Sequence, residues 1–195
     1  MSNGYDERPE QKGSSWPWIL LGCGICAVVA VPLVAIIAAI AIPNLLTARR
    51  GSLETNAVGS CRAYCSAQTM YHRNDWDGDQ TLEYAVPFTR LNTELDTTGT
   101  PINLIDSAFA AAKGNAGRPK HGYLFDDMAK IGGSKIDWIN DYGLCGKPSV
   151  YGRTGYRTFI VSTNGTVFGK DQGPAGGFVK NYPANPASAT WIIAE

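Results

Sequence analysis

The chain has 195 residues, with 17 Lys+Arg balanced by 17 Asp+Glu, 44% apolar residues and 10% aromatics. A net charge of zero leaves no basic footprint for nucleic acid, and none is expected as a partner. With Arg8, Lys12, Asp6, Glu7 and Glu10 set aside, 15 basic and 14 acidic groups lie beyond residue 48. That remainder, about 147 residues, is enough for one domain with a hydrophobic core and short for two.

Residues 1–15 (MSNGYDERPEQKGSS) are polar and hold no core-forming pattern, so a disordered tail is expected there. Residues 13–48 carry no charge at all. Within them, residues 16–43 (WPWILLGCGICAVVAVPLVAIIAAIAIP) would cover roughly 40 Å as a helix, enough to span a bilayer with some tilt. Trp16 and Trp18 stand where an interfacial aromatic anchor belongs, and Pro17 suits a first helical turn. A secretory signal cleaved after Ala39 or Ala41 is the alternative, although its apolar core would be roughly 7 to 15 residues, about half of this run. Leu20-Leu21-Gly22-Cys23 has some likeness to a lipid-attachment box; only a few apolar residues precede it, and Cys23 and Cys26 read more simply as small membrane residues. Gly22, Gly24, Ala27, Ala30, Ala35, Ala38 and Ala39 would let neighbouring helices approach closely. Arg8 and Lys12 flank one end and Arg49 and Arg50 the other, so charge alone does not set the orientation.

After Pro43 the pattern turns amphipathic with no loop signal between the two regimes. Leu46, Leu53, Ala57, Cys61, Tyr64, Cys65 and Gln68 recur at spacings of three, four or seven, with Arg50, Glu54, Asn56 and Arg62 off that stripe. One continuous helix over about residues 16–72 is expected, on the order of 85 Å long, kinked at Pro32 and Pro43 and pliable at Gly51 and Gly59. Its amphipathic part, residues 44–73, would pack on a globular head formed by residues 74–195. The helix must stop at residues 74–79 (NDWDGD), which are dense in turn formers. A short helix is expected at residues 105–113 (IDSAFAAAK), closed by Gly114. Strands are expected at residues 121–125, 157–162 (RTFIVS), 166–169 (TVFG) and 189–193 (ATWII). Thr163-Asn164-Gly165 would join the middle two as a type I′ hairpin. Residues 172–186, rich in Gly, Pro, Asn and Ala, read as surface.

Residues 38–68 (AAIAIPNLLTARRGSLETNAVGSCRAYCSAQ) resemble the N-terminal spine of type IV pilins and of the pseudopilins of type II secretion systems. In those proteins an apolar helix ending in Ile-Pro-Asn-Leu runs into an amphipathic helix that packs on a small antiparallel sheet. Over roughly residues 61–170 the chain also resembles a bacterial envelope domain family of unknown function. That likeness is carried by CRAY at 61–64, DWDGDQTLEYA at 75–85, HGYLF at 121–125 and YGRTGYRTFIVSTNGTVFGKD at 151–171. The resemblance implies a pilin-like α+β fold, a long N-terminal helix on a small antiparallel β-sheet head. It also implies a single-pass protein of the bacterial cytoplasmic membrane, tail inside and head outside, packing with copies or related pilin-like subunits. One pilin element has no counterpart, the prepilin motif of Gly followed by Phe-Thr-Leu-x-Glu. Lys12-Gly13 is followed by Ser14-Ser15-Trp16, and Cys26 stands where counting back from Pro43 would place the Glu.

Asp75, Asp77, Asp79 and Glu83 occupy positions one, three, five and nine of a calcium-loop template, with oxygen donors at alternate positions of a tight turn. Gln80 and Val86 replace the template's Gly at six and Glu at twelve. The half match reads either as a calcium site stabilising the head or as a loop that uses Asp to build turns. Some pseudopilins bind calcium in their heads, which favours the first through the resemblance. With Cys23 and Cys26 in lipid, three cysteines remain for the head. Cys61 and Cys65, one turn apart with parallel Cβ vectors, pair poorly with each other. Either one of them bonds Cys145, tying the helix to a loop at residues 142–147, or all three are buried apolar thiols. His72 and His121 stand beside no cysteine or carboxylate at a motif spacing, and neither a G-x-S-x-G elbow nor a phosphate loop is present, so no catalytic role is expected. The expected function is structural, in an envelope filament or secretion apparatus. The alternative is a monomeric, membrane-tethered binding or sensing domain on a borrowed spine.

Overall fold

A computed structural model describes the backbone of residues 16–194 except Asp77, and side chains from Val34 onward. The tail expected at residues 1–15 lies outside the described residues. The chain divides into two compact units, residues 1–46 and 47–195, and one helix, α1 (Trp16–His72), has residues in both.

In the first unit Val34, Ile36, Ile37, Ile40 and Ile42 are each more than half exposed. The segment Val34–His72 includes a stretch apolar and poor enough in charge to cross a membrane. Ala35 and Ala39 are exposed and Ala38 is half-buried; Gly22, Gly24, Ala27 and Ala30 lie outside the residues whose surroundings are described.

In the second unit α1 buries Ala57, Val58, Cys61, Tyr64, Ala67, Gln68 and Tyr71, positions three or four apart that fall on one face. The stripe is displaced from the expected one at its start, where Leu46 is exposed and Glu54 is buried. The helix ends where Asn74 takes over its orphan carbonyls: the side-chain amide donates to Met70 O at 3.0 Å and the backbone N–H to Tyr71 O at 3.1 Å.

Two short helices follow, α2 (Arg90–Thr93) and α3 (Ser107–Ala111), the latter capped by the Asp106 carboxylate accepting from Phe109 N–H. The strands are β1 (Tyr123–Asp127), β2 (Lys130–Ile131), β3 (Ser134–Lys135), β4 (Gly143–Pro148), β5 (Arg157–Ser162), β6 (Phe168–Asp171), β7 (Asn181–Tyr182) and β8 (Ile192–Ile193). Five of them form an antiparallel sheet in the order β1-β4-β5-β6-β8, and β3-β2-β7 form a small second sheet. The class is α+β, one long N-terminal helix and a small antiparallel sheet.

The two-residue period of the strands gives the larger sheet two apolar faces. Tyr123, Phe125, Leu144, Phe159 and Val161 pack with the buried stripe of α1 in one core. Cys145 and Ile160 belong to a second core with Met128, Ile136, Tyr182 and Trp191. A run of rings threads the first core, with centroids 6.4 Å apart for Tyr64–Phe88, 5.4 Å for Phe88–Phe109 and 4.7 Å for Phe109–Phe125. Each such burial stabilises by about 1.5–3 kcal/mol.

Several local expectations are corrected. Residues 142–147 are not a loop but mostly strand β4, whose Gly146 lies under the Phe125 ring. A Cβ there would sit 2.7 Å from Phe125 Cε1, so only glycine lets the ring cover the strand. The hairpin between β5 and β6 is not type I′, which needs two residues with positive φ. Only Gly165 is left-handed there (φ 71°), its N–H donating to Ser162 O at 2.9 Å while Asn164 Oδ1 accepts from Thr166 N–H at 3.0 Å. Within the strand expected at residues 189–193, only Ile192–Ile193 pairs.

One buried amide ties the chain after α1 back to the helix. Gln68 Nε2 donates to Ala85 O and to Tyr64 Oη, both at 2.9 Å, and its Oε1 accepts from Ala85 N–H at 2.8 Å. Replacing it with an apolar isostere strands three buried polar groups. Gln68→Leu is expected to cost about 2 kcal/mol or more and to lower the Tm by roughly 4–8 °C. Calorimetry alongside Met70→Gln, a change at an exposed neighbour expected to shift the Tm by less than about 2 °C, checks this.

Candidate functional site

The side chains that chemistry could use fall into four places in the second unit. The first is where α1 meets the β4–β5 connection. Glu54, buried at 7% exposure, accepts through Oε1 from Tyr156 N–H at 2.8 Å and through Oε2 from Arg157 Nε at 2.7 Å. One turn earlier, Arg50 Nη1 donates to Tyr156 Oη at 2.8 Å and its guanidinium lies 5.3 Å from the ring centroid. Tyr151 meets Tyr156 edge-on at 5.3 Å and donates to the Asp171 carboxylate at 3.1 Å. None of these roles is visible in the sequence. The one signal was the spacing of Glu54, seven residues before Cys61 and therefore on the buried stripe.

The second place is a groove of about 410 Å3 between α1 and the segment before β1, lined by Thr55, Asn56, Gly59, Ser60, Ala63, Lys120 and His121. Thr55 and Ser60 spend their hydroxyls on the Gly51 and Asn56 carbonyls of their own helix, and Lys120 pairs with Asp106. His72 is elsewhere, its Nε2 3.0 Å from Ile139 O and its ring stacked on Tyr84.

The cysteines form the third. Cys61, Cys65 and Cys145 are free thiols in this structure. Cys61 packs in the α1 core with Cys65 at its edge, Cys145 belongs to the core on the other face of the sheet, and no disulfide joins them in this structure. Cys145 Sγ accepts from Val179 N–H at 3.2 Å. Burial holds both thiols protonated, pushing Cys61 well above the ordinary range and Cys145 up to about 12.

The acidic loop is the fourth. Asp75 Oδ1 accepts from Gly78 N–H at 2.8 Å and Asp79 N–H at 3.1 Å, and its Oδ2 accepts from Gln80 N–H at 2.8 Å. Asp79 Oδ1 accepts from Thr81 N–H at 2.8 Å. Glu83 faces Arg90 at 2.8 Å, and Arg90 also pairs with Glu94 and lies over the Tyr71 ring. Asp75 and Asp79 build the turns of this loop, and Glu83 joins it to α2. Among the described residues no three His, Cys, Asp or Glu side chains stand together as a metal-binding group, and Asp77 lies outside the described residues. If Asp75, Asp77, Asp79 and Glu83 hold calcium, millimolar calcium is expected to raise the Tm of the full chain by several degrees over a chelator, because a ligand of the native state stabilises it; a Tm unchanged within about 1 °C counts against the site.

No curated protein and no solved structure matches the chain. A model of a protein family of unknown function, DUF2950, matches residues 38–184. The match begins inside α1 and continues past β7, so it takes in the packed half of the helix and four of the five strands of the larger sheet, β8 lying beyond it. Matched over well more than half of its length, the chain belongs to that family.

Proposed function

We propose that the protein is a single-pass subunit of the bacterial cytoplasmic membrane, head outside, whose apolar helix packs laterally against copies of itself or related pilin-like subunits in an envelope assembly. The observation that carries this reading is the continuity of α1. The helix whose early residues are apolar enough to cross a bilayer also supplies the buried stripe of the head, with no linker between the two stretches. Residues 38–68 resemble the spine of pilins and pseudopilins in the same order of features. In lipid, apolar side chains alone do not drive helices together, and small residues such as Ala35, Ala38 and Ala39 permit the close approach that does.

Crosslinking the full-length protein in its own membrane is expected to give a ladder of dimers and higher species that weakens in Ala39→Leu. A single monomeric band, both in the membrane and in mild detergent, would overturn the reading and leave a tethered monomeric binding domain in its place.

A further inference from the structure

Arg49 and Arg50 are the first charges after the uncharged residues 13–48. With a rise of about 1.5 Å per residue, Arg50 and Glu54 follow the last uncharged position by roughly 3 and 9 Å along the helix. Those same two side chains hold the β4–β5 connection: Arg50 engages the Tyr156 ring and hydroxyl, and Glu54 takes the Tyr156 and Arg157 N–H groups. The connection is itself a tight turn, with Arg153 N–H and Thr154 N–H both donating to Val150 O. It presents outward Val150 at 50% exposure, Tyr156 at 40% and the exposed Arg153. The nearby carboxylates are Glu54, neutralised by Arg157, and Asp171, which accepts from Tyr151. Arg50 and Arg153 against Asp171 therefore leave the patch cationic, with Arg49 beside Arg50 in the chain. An apolar residue, amphipathic rings with polar tips and basic charge, held by side chains within two turns of Ala48, the last residue of the uncharged run, is the composition of a membrane–water interface.

We propose that residues 149–156 are a headgroup contact, seating on anionic lipids of the leaflet from which α1 emerges and so holding the head against the bilayer surface. The proposal rests on α1 crossing the membrane and goes beyond it by assigning the head a lipid partner.

The test uses the full-length chain in phosphatidylcholine nanodiscs and in nanodiscs that also contain phosphatidylglycerol, with amide hydrogen exchange read for peptides covering residues 149–156. Exchange there is expected to be about five-fold or more slower in the anionic discs. Arg153→Glu should remove the difference while leaving the Tm unchanged, since among the described residues no ion pair involves that side chain. Equal exchange in the two discs, with the chain inserted in both, overturns this proposal alone, as does slowing that free inorganic phosphate reproduces in zwitterionic discs. A chain that fails to enter either disc overturns the membrane reading along with it.

Discussion

Two buried polar side chains on α1, Glu54 and Gln68, fix where the rest of the head sits on its helix. They lie about 21 Å apart along the axis. Between them the helix offers Ala57, Val58, Cys61, Tyr64 and Ala67, whose burial stabilises but has no direction. Glu54 fixes the chain entering β5, and Gln68 fixes the segment leading into α2, each through backbone groups of its partner segment. A slide of the sheet along the stripe would keep much of the apolar contact but strand both sets of hydrogen bonds, and a buried polar group without a partner is costly. The apolar stripe supplies the bulk of the attraction, and the two polar side chains choose one register for it.

The sheet follows from that register. Its face toward α1 is dense in aromatic rings, and its other face is closed by the small β3-β2-β7 sheet and Trp191. Because alternate residues on β4 and β5 serve different cores, Leu144 and Cys145 share a strand but not an environment. That separation places Cys61 and Cys145 apart despite their both being fully buried. Polar groups at the acidic loop likewise set the chain's path: Asp75 serves three backbone N–H groups, and Arg90 gathers Glu83, Glu94 and the Tyr71 ring.

Much of this was legible in the sequence where periodicity was strong. The long helix and β5 carry unmistakable patterns, uncharged then amphipathic in one case and RTFIVS in the other, while the α+β class is what the pilin resemblance implies. Strand β4 was hidden because Gly143 and Gly146 count against a strand until the Phe125 ring that covers Gly146 is known, and that ring lies far away in the sequence. Glu54 reads as off the buried stripe although its spacing from Cys61 fits it; only Arg157, more than a hundred residues on, explains how a carboxylate can be buried. Asn164-Gly165 marks the hairpin but not its turn type, since Asn-Gly is compatible with more than one geometry. In the acidic loop the Asp spacing suits both a cation and a set of Asx turns, and no pattern within the loop separates the two.

The packed half of α1 is part of the head rather than a stalk beneath it, since its stripe shares one core with the sheet. Thermal unfolding of two fragments, residues 47–195 and residues 74–195, tests this most directly. The first should melt in a single cooperative transition without detergent, and the second, deprived of the stripe from Glu54 to Tyr71, should show no cooperative transition. A cooperative melt of the shorter fragment at the temperature of the longer one would contradict the account.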